Sequence, residues 1–119
     1  GLGLMGLQDA FFQLKLPFDS EEAKQLSAQI SEEIYYNALV TSCALAEKHG
    51  PHGAFEQTRA AKGDLQFDLW GVKPKDENRW NQLKARIKQH GLRNSLLIAI
   101  APTATIASIV GCYEATEPM

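Results

Sequence analysis

The sequence predicts an α/β architecture, mostly helical, with one buried strand near residues 94–101. Three observations predict it. Two long stretches place apolar residues at three- and four-residue steps, the spacing of one helix face. A continuous apolar run, Leu96-Leu97-Ile98-Ala99-Ile100-Ala101, has the character of a strand covered on both faces. A tight turn and a short amphipathic segment follow that run at once, which is the grammar of an α/β crossover.

Taken in order, residues 1–16 are rich in Leu, Met and Phe, and from Gly6 onward their spacing suits a buried helix stopped by Pro17. The first few residues equally fit the tail of a strand. Asp19-Ser20-Glu21-Glu22 is a helix start: a side-chain oxygen for the free N–H groups, then acids at the positive end of the dipole. Ala23, Leu26, Ile30, Ile34 and Ala38 continue one stripe on a helix expected to reach His49 and to close at Gly50-Pro51. Residues 51–78 read as a long irregular stretch, in which the alternation of Leu65 to Leu69 fits a short extended segment. Asp76 or Asn78 caps a second amphipathic helix carrying Trp80, Leu83 and Ile87, ended by Gly91. Asn94 to Ala101 is the expected strand. Ile106, Ala107, Ile109 and Val110 are the expected short helix, stopped by Gly111.

Bulk properties narrow the function. The 119 residues carry 12 basic and 14 acidic side chains, a net charge of −2, so no electrostatic footprint for nucleic acid or an anionic membrane is present. The apolar run is far short of a membrane span. Gly1 to Gly6 lacks the basic start of a secretory leader. Two cysteines are too few for a disulfide framework, and a reduced, cytoplasmic setting is the expectation. The apolar opening Gly1-Leu2-Gly3-Leu4 and the ending Glu117-Pro118-Met119 read as those of an excerpt from a longer chain.

The turn from Pro102 to Ile106 is the place with chemistry in it. Ligands of α/β folds sit at the carboxyl ends of strands. The first N–H groups of a helix lack internal partners, and their dipoles favour an anion. Thr103 and Thr105 add hydroxyls, and Ala104 is small enough to let a phosphate reach the backbone. Each dipole contribution is about 0.3–1 kcal/mol, and each directed bond to a charged group about 1.5–3 kcal/mol. The plainer alternative is that Thr103 is a helix cap and nothing more.

Other residues point to structure. Cys43 lies within a helix beside Ala44 and Leu45, as a buried structural thiol does, and Cys112 has no basic neighbour to activate it. His49-Gly50-Pro51-His52 lacks a third metal ligand. Glu32-Glu33 and Asp76-Glu77 read as solvated helix faces.

An ordered set of motifs then covers nearly the whole chain. Gly3-Leu4-Met5-Gly6-Leu7-Gln8-Asp9-Ala10 resembles the "G-x-M-G-L-A-D-A" segment of the large subunits of class I ribonucleotide reductases. Pro17-Phe18-Asp19-Ser20-Glu21-Glu22-Ala23, Ile34-Tyr35-Tyr36-Asn37-Ala38-Leu39 and Ser42-Cys43-Ala44-Leu45-Ala46-Glu47-Lys48-His49-Gly50-Pro51 resemble the helix that follows in that family. Lys62-Gly63-Asp64-Leu65-Gln66-Phe67-Asp68-Leu69-Trp70 is similar to its "K-G-x-L-Q-x-D-x-W", and His90-Gly91-Leu92-Arg93-Asn94-Ser95-Leu96 to its "H-G-x-R-N-S-L". Pro102-Thr103-Ala104-Thr105 and Glu117-Pro118 complete the series.

The resemblance implies a fragment, residues 1–119, of the C-terminal half of a ten-stranded α/β barrel. It implies reduction of ribonucleoside diphosphates by thiyl-radical chemistry, with a cysteine pair as the electron source. It also implies a partner small subunit holding the metal-radical cofactor, a large-subunit homodimer, and thioredoxin or glutaredoxin as reductant. No metal or cofactor falls to this segment. The substrate phosphates fall to Thr103, Ala104, Thr105 and Ile106. The family turn often reads "P-T-A-S-T-A", so Ile106 stands where a hydroxyl residue can sit, and its N–H alone carries the role over. The radical cysteine loop, the reducing cysteines, the allosteric effector loops and the radical-relay tyrosines have no counterpart here, so the segment alone is expected to be inactive. Two rivals remain: a helical interaction module, and an adenosylcobalamin-dependent relative, whose turn tends to read "P-T-G-[ST]" where this chain has Ala104.

Overall fold

In the computed structural model residues 2–118 are described. Their order is α1 (Leu7–Gln13), α2 (Glu21–His49), two short 3₁₀ turns (Phe55–Gln57 and Ala60–Lys62), α3 (Gln66–Leu69), α4 (Glu77–His90) and α5 (Ala104–Val110). The chain divides into two units. One joins the residues up to Glu33 with those from Ile98 onward; the other is Ile34–Leu97.

Local chemistry sets most boundaries. Ser20 Oγ accepts the Ala23 N–H at 3.2 Å, and Glu21 and Glu22 occupy the first turn of α2, as expected. Asp76 accepts the Arg79 N–H at 3.3 Å and starts α4. Gly91 ends α4 with φ 84°, and a Cβ there would lie 2.6 Å from Pro51 Cβ, so both conformation and space demand glycine. α1 stops at Gln13, before Pro17: Lys15 turns to φ 57° and the Leu16 N–H folds back onto Phe11 O at 2.8 Å.

Within Ile34–Leu97 the core gathers Leu39, Cys43, Phe55, Leu65, Trp80, Leu83, Ile87 and Leu92. Trp80, 1% exposed, stands edge-on to Phe67 at 4.7 Å and to Tyr36 at 5.2 Å, with Tyr35 at 5.9 Å. The buried face of α2 in this unit is Leu39, Ser42, Cys43 and Ala46; Ala38, which continued the stripe in the sequence, is half-buried. The alternation at Leu65 to Leu69 is one helical turn and not an extended segment. Asp68 accepts the Leu65 N–H at 2.9 Å and so favours the turn over the strand. In the other unit, Leu7, Phe11 and Ala23 form a smaller cluster with Leu4, Leu16, Leu26 and Ile30 against it.

The expected strand at 94–101 is corrected. Among the described residues no strand forms; the extended pairing is an isolated parallel bridge between Leu2 and Ile100. Leu96 is 88% exposed and Ile100 70%. A strand is buried by neighbouring strands and by the helices over them, and one bridge supplies neither. Of the opening residues only Leu2 takes part in that bridge, and no strand tail forms among those described.

Candidate functional site

The turn at 102–106 lies in the unit formed by the two ends of the chain. Thr103 has φ 55° and ψ 19°, in the left-handed region. A β-branched residue there is an outlier, at a cost of order 1–3 kcal/mol that the surroundings must offset. The surroundings are specific. The Ala115 N–H donates to Thr103 Oγ1 at 2.9 Å. Thr103 O accepts the Ala107 N–H at 2.8 Å, the first bond of α5. Gly3 packs against the threonine so closely that a Cβ would lie 2.6 Å from Thr103 Cγ2.

The amides of Ala104, Thr105 and Ile106 precede that first helical bond, so no carbonyl of α5 can accept them. All three residues are exposed, and Thr103 is half-buried. Thr103 stands at the N-cap, yet its hydroxyl makes no capping bond to the helix. The plain capping alternative is therefore not what the side chain does. With Ala115 donating to its oxygen, the hydroxyl keeps its proton to give elsewhere. The turn thus presents three amides on exposed residues, with half-buried Thr103 beside them and Thr105 among them. The amides can only donate and the hydroxyls can do so too, a set chemically suited to an anion.

Behind the turn, the segment after α5 is held from α1. Gly6 donates its N–H to Tyr113 O at 2.8 Å, and Asp9 Oδ2 accepts the Tyr113 N–H at 2.7 Å. The Phe12 and Tyr113 rings meet edge-on at 5.7 Å. Nothing local in the sequence links Asp9 to a residue 104 positions later; the glycine at position 3 and the acid at 9 were the available signals.

The remaining candidates lie in Ile34–Leu97. Cys43 is fully buried, and that burial pushes its thiol up from the usual value, as befits a structural cysteine. His52 stacks edge-on to Phe55 at 6.0 Å. Among the described residues no three His, Cys, Asp or Glu side chains converge. Burial pushes the Asp68 carboxyl up, but the Lys84 ammonium at 2.8 Å and the Leu65 amide outweigh this and hold it below its usual range. Sequence reasoning missed a second arrangement as well. Buried Ser42 donates to Asn94 Oδ1 at 2.9 Å and accepts the Asn94 N–H at 3.1 Å, while Arg93 donates to His49 O and Gly50 O at 3.4 and 3.2 Å. Arg93 thereby satisfies carbonyls at the end of α2, which explains two residues of the "R-N-S" motif structurally.

Comparison with known proteins places the whole chain in one family. The family model described as ribonucleotide reductase, barrel domain, matches residues 1–119. The ribonucleoside-diphosphate reductase large subunit of Caenorhabditis elegans is 50% identical over 118 residues, covering 99% of this chain and 15% of the relative. The large subunit of vaccinia virus (strain Copenhagen) is 52% identical over 118 residues, with the same coverage. The large chain of Cryptosporidium parvum is 52% identical over 120 residues, again 99% and 15%. The chain therefore spans about 15% of the length of these curated relatives.

Proposed function

This chain belongs to the ribonucleotide reductase barrel-domain family, and from that premise we propose that the whole protein reduces ribonucleoside diphosphates to deoxyribonucleoside diphosphates. Residues 1–119 then form part of the C-terminal half of the barrel, and their contribution to the reaction is binding. The turn of Thr103, Ala104, Thr105 and Ile106 holds the substrate's phosphates: three backbone amides and two hydroxyls donate, and Ile106 serves through its N–H alone. The radical chemistry belongs to residues outside this segment. The metal-radical cofactor belongs to a partner small subunit, the large subunit acts as a homodimer, and thioredoxin or glutaredoxin returns the electrons. The setting is the cytoplasm.

The observation that carries the reading is the run of three amides without a helix acceptor, beside a threonine hydroxyl that declines the helix cap. The names of the relatives, all ribonucleoside-diphosphate reductases, favour a diphosphate over the other anions such a turn could take. They also favour this reading over a helical interaction module.

The test uses the full-length protein. Thr103→Ala combined with Thr105→Ala removes two charge-assisted bonds and should weaken nucleoside diphosphate binding about 10-fold or more by calorimetry. Affinity equal to the wild type, in a variant of normal stability, would reject the phosphate role.

A further inference from the structure

We propose that Asp9 is a positioning residue for the phosphate turn, acting through the 112–117 segment to hold the Thr103 side chain in place. The proposal rests on the phosphate reading above and extends it to a residue in α1.

The connections are continuous. The Asp9 carboxylate accepts the Tyr113 N–H at 2.7 Å, and Gly6, at the start of the same helix, donates to Tyr113 O at 2.8 Å. Tyr113 is thus fixed through both its backbone groups by one short helix. Two residues on, Ala115 is buried and has φ 45°, an unfavourable conformation for a residue with a Cβ. Its N–H is delivered to Thr103 Oγ1 at 2.9 Å. Both ends of that bond are strained, since Thr103 has φ 55°. Strain at two bonded residues persists where the surroundings over-determine them, and the grip of Asp9 and Gly6 on Tyr113 is the restraint nearest to hand.

The consequence is chemical. A hydroxyl has one proton and two lone pairs. With the Ala115 N–H on one lone pair of the Thr103 oxygen, the hydroxyl is held in place and its proton stays available to an acceptor. The effect of Asp9 passes through the backbone of 113–115.

The experiment is a double-mutant cycle in the assembled full-length enzyme, comparing Asp9→Ala, Thr103→Val and the pair. Asp9→Ala should raise KM for a ribonucleoside diphosphate about 5-fold, with a smaller fall in kcat and with unchanged affinity for the corresponding nucleoside, which has no phosphate. The pair should be no worse than Thr103→Val alone. Asp9→Asn keeps an acceptor and should lose less than Asp9→Ala. If Asp9→Ala does not fold, Asp9→Glu replaces it in the cycle; its longer side chain displaces the carboxylate and should raise KM about 3-fold. Effects that multiply in the pair overturn the proposal, because Asp9 then acts independently of Thr103. Wild-type KM in the Asp9 variant beside a weakened Thr103→Val overturns it while leaving the phosphate turn intact. Wild-type diphosphate affinity in Thr103→Val itself overturns both.

Discussion

Around Trp80, the Ile34–Leu97 unit brings helices and irregular segments onto one aromatic core, and its main polar links are internal: Ser42 with Asn94, Lys84 with Asp68, Arg93 with the end of α2. The unit built from the two ends of the chain has a smaller cluster around Phe11 and leaves Leu2, Phe12, Ile100, Ile106, Ile109 and Val110 exposed, while the Ile34–Leu97 unit exposes Trp70, Val72 and Leu96 beside its larger core. The exposed residues of the end unit lie on extended segments, Leu2 and Ile100, and on the short helices α1 and α5, Phe12, Ile106, Ile109 and Val110. Capped amphipathic helices find partners close in sequence and can complete a core locally. Extended apolar segments need strands and covering helices contributed from elsewhere. The candidate site lies in the second kind of region, beside surface that a larger barrel would cover.

The largest effect expected from this contrast is at Trp80. Replacing it with Ala should destabilise the Ile34–Leu97 unit by about 3–5 kcal/mol, read by native-state hydrogen exchange of the α4 amides. Equal loosening at Phe11 and at α4 would erase the distinction between the units.

A sharper test is the same substitution in two settings. Ile109 is 78% exposed, so Ile109→Asp in the 119-residue chain should change stability by no more than about 0.5 kcal/mol. In the full-length protein, where the barrel reading buries that side chain, the loss should exceed about 2 kcal/mol. Chemical denaturation of both forms gives the comparison; identical small effects would speak against a covered α5.

The smallest effect is electrostatic. Asp68 is held below the usual carboxylate range by Lys84 and the Leu65 amide, which outweigh its burial. Its contribution is therefore complete above the unfolded value of about 3.9 and disappears as pH falls through the lower native value. Asp68→Asn should flatten the acid limb of the stability curve of this unit and leave the neutral limb nearly parallel to the wild type. An unchanged acid limb would mean the pair is not felt.

The legibility of the sequence divides along the same line. Gly91 and Gly111 marked helix ends, and of the paired candidates Asp19 or Ser20 and Asp76 or Asn78 the structure uses Ser20 and Asp76, because capping is decided within a few residues. The turn at Pro102 and the short helix after it were readable for the same reason. Burial at 94–101 was not, because an apolar run records what a strand needs and cannot supply its neighbours. Leu65 to Leu69 misled by alternating, while the deciding contact was Asp68 reaching back to Leu65. The Ser42–Asn94 pair is separated by 52 positions and the Asp9–Tyr113 bond by 104, so no local pattern encodes either. Thr103 was readable as a hydroxyl at a helix start; its left-handed backbone and its bond from Ala115 were not.

Amide exchange at Ala104, Thr105 and Ile106 in the full-length protein bears most directly on the phosphate turn. A ribonucleoside diphosphate should slow these three amides about 10-fold or more, since each acquires an acceptor, while the nucleoside without phosphates should leave them unchanged. Equal protection by both ligands, or none by either, would contradict the account.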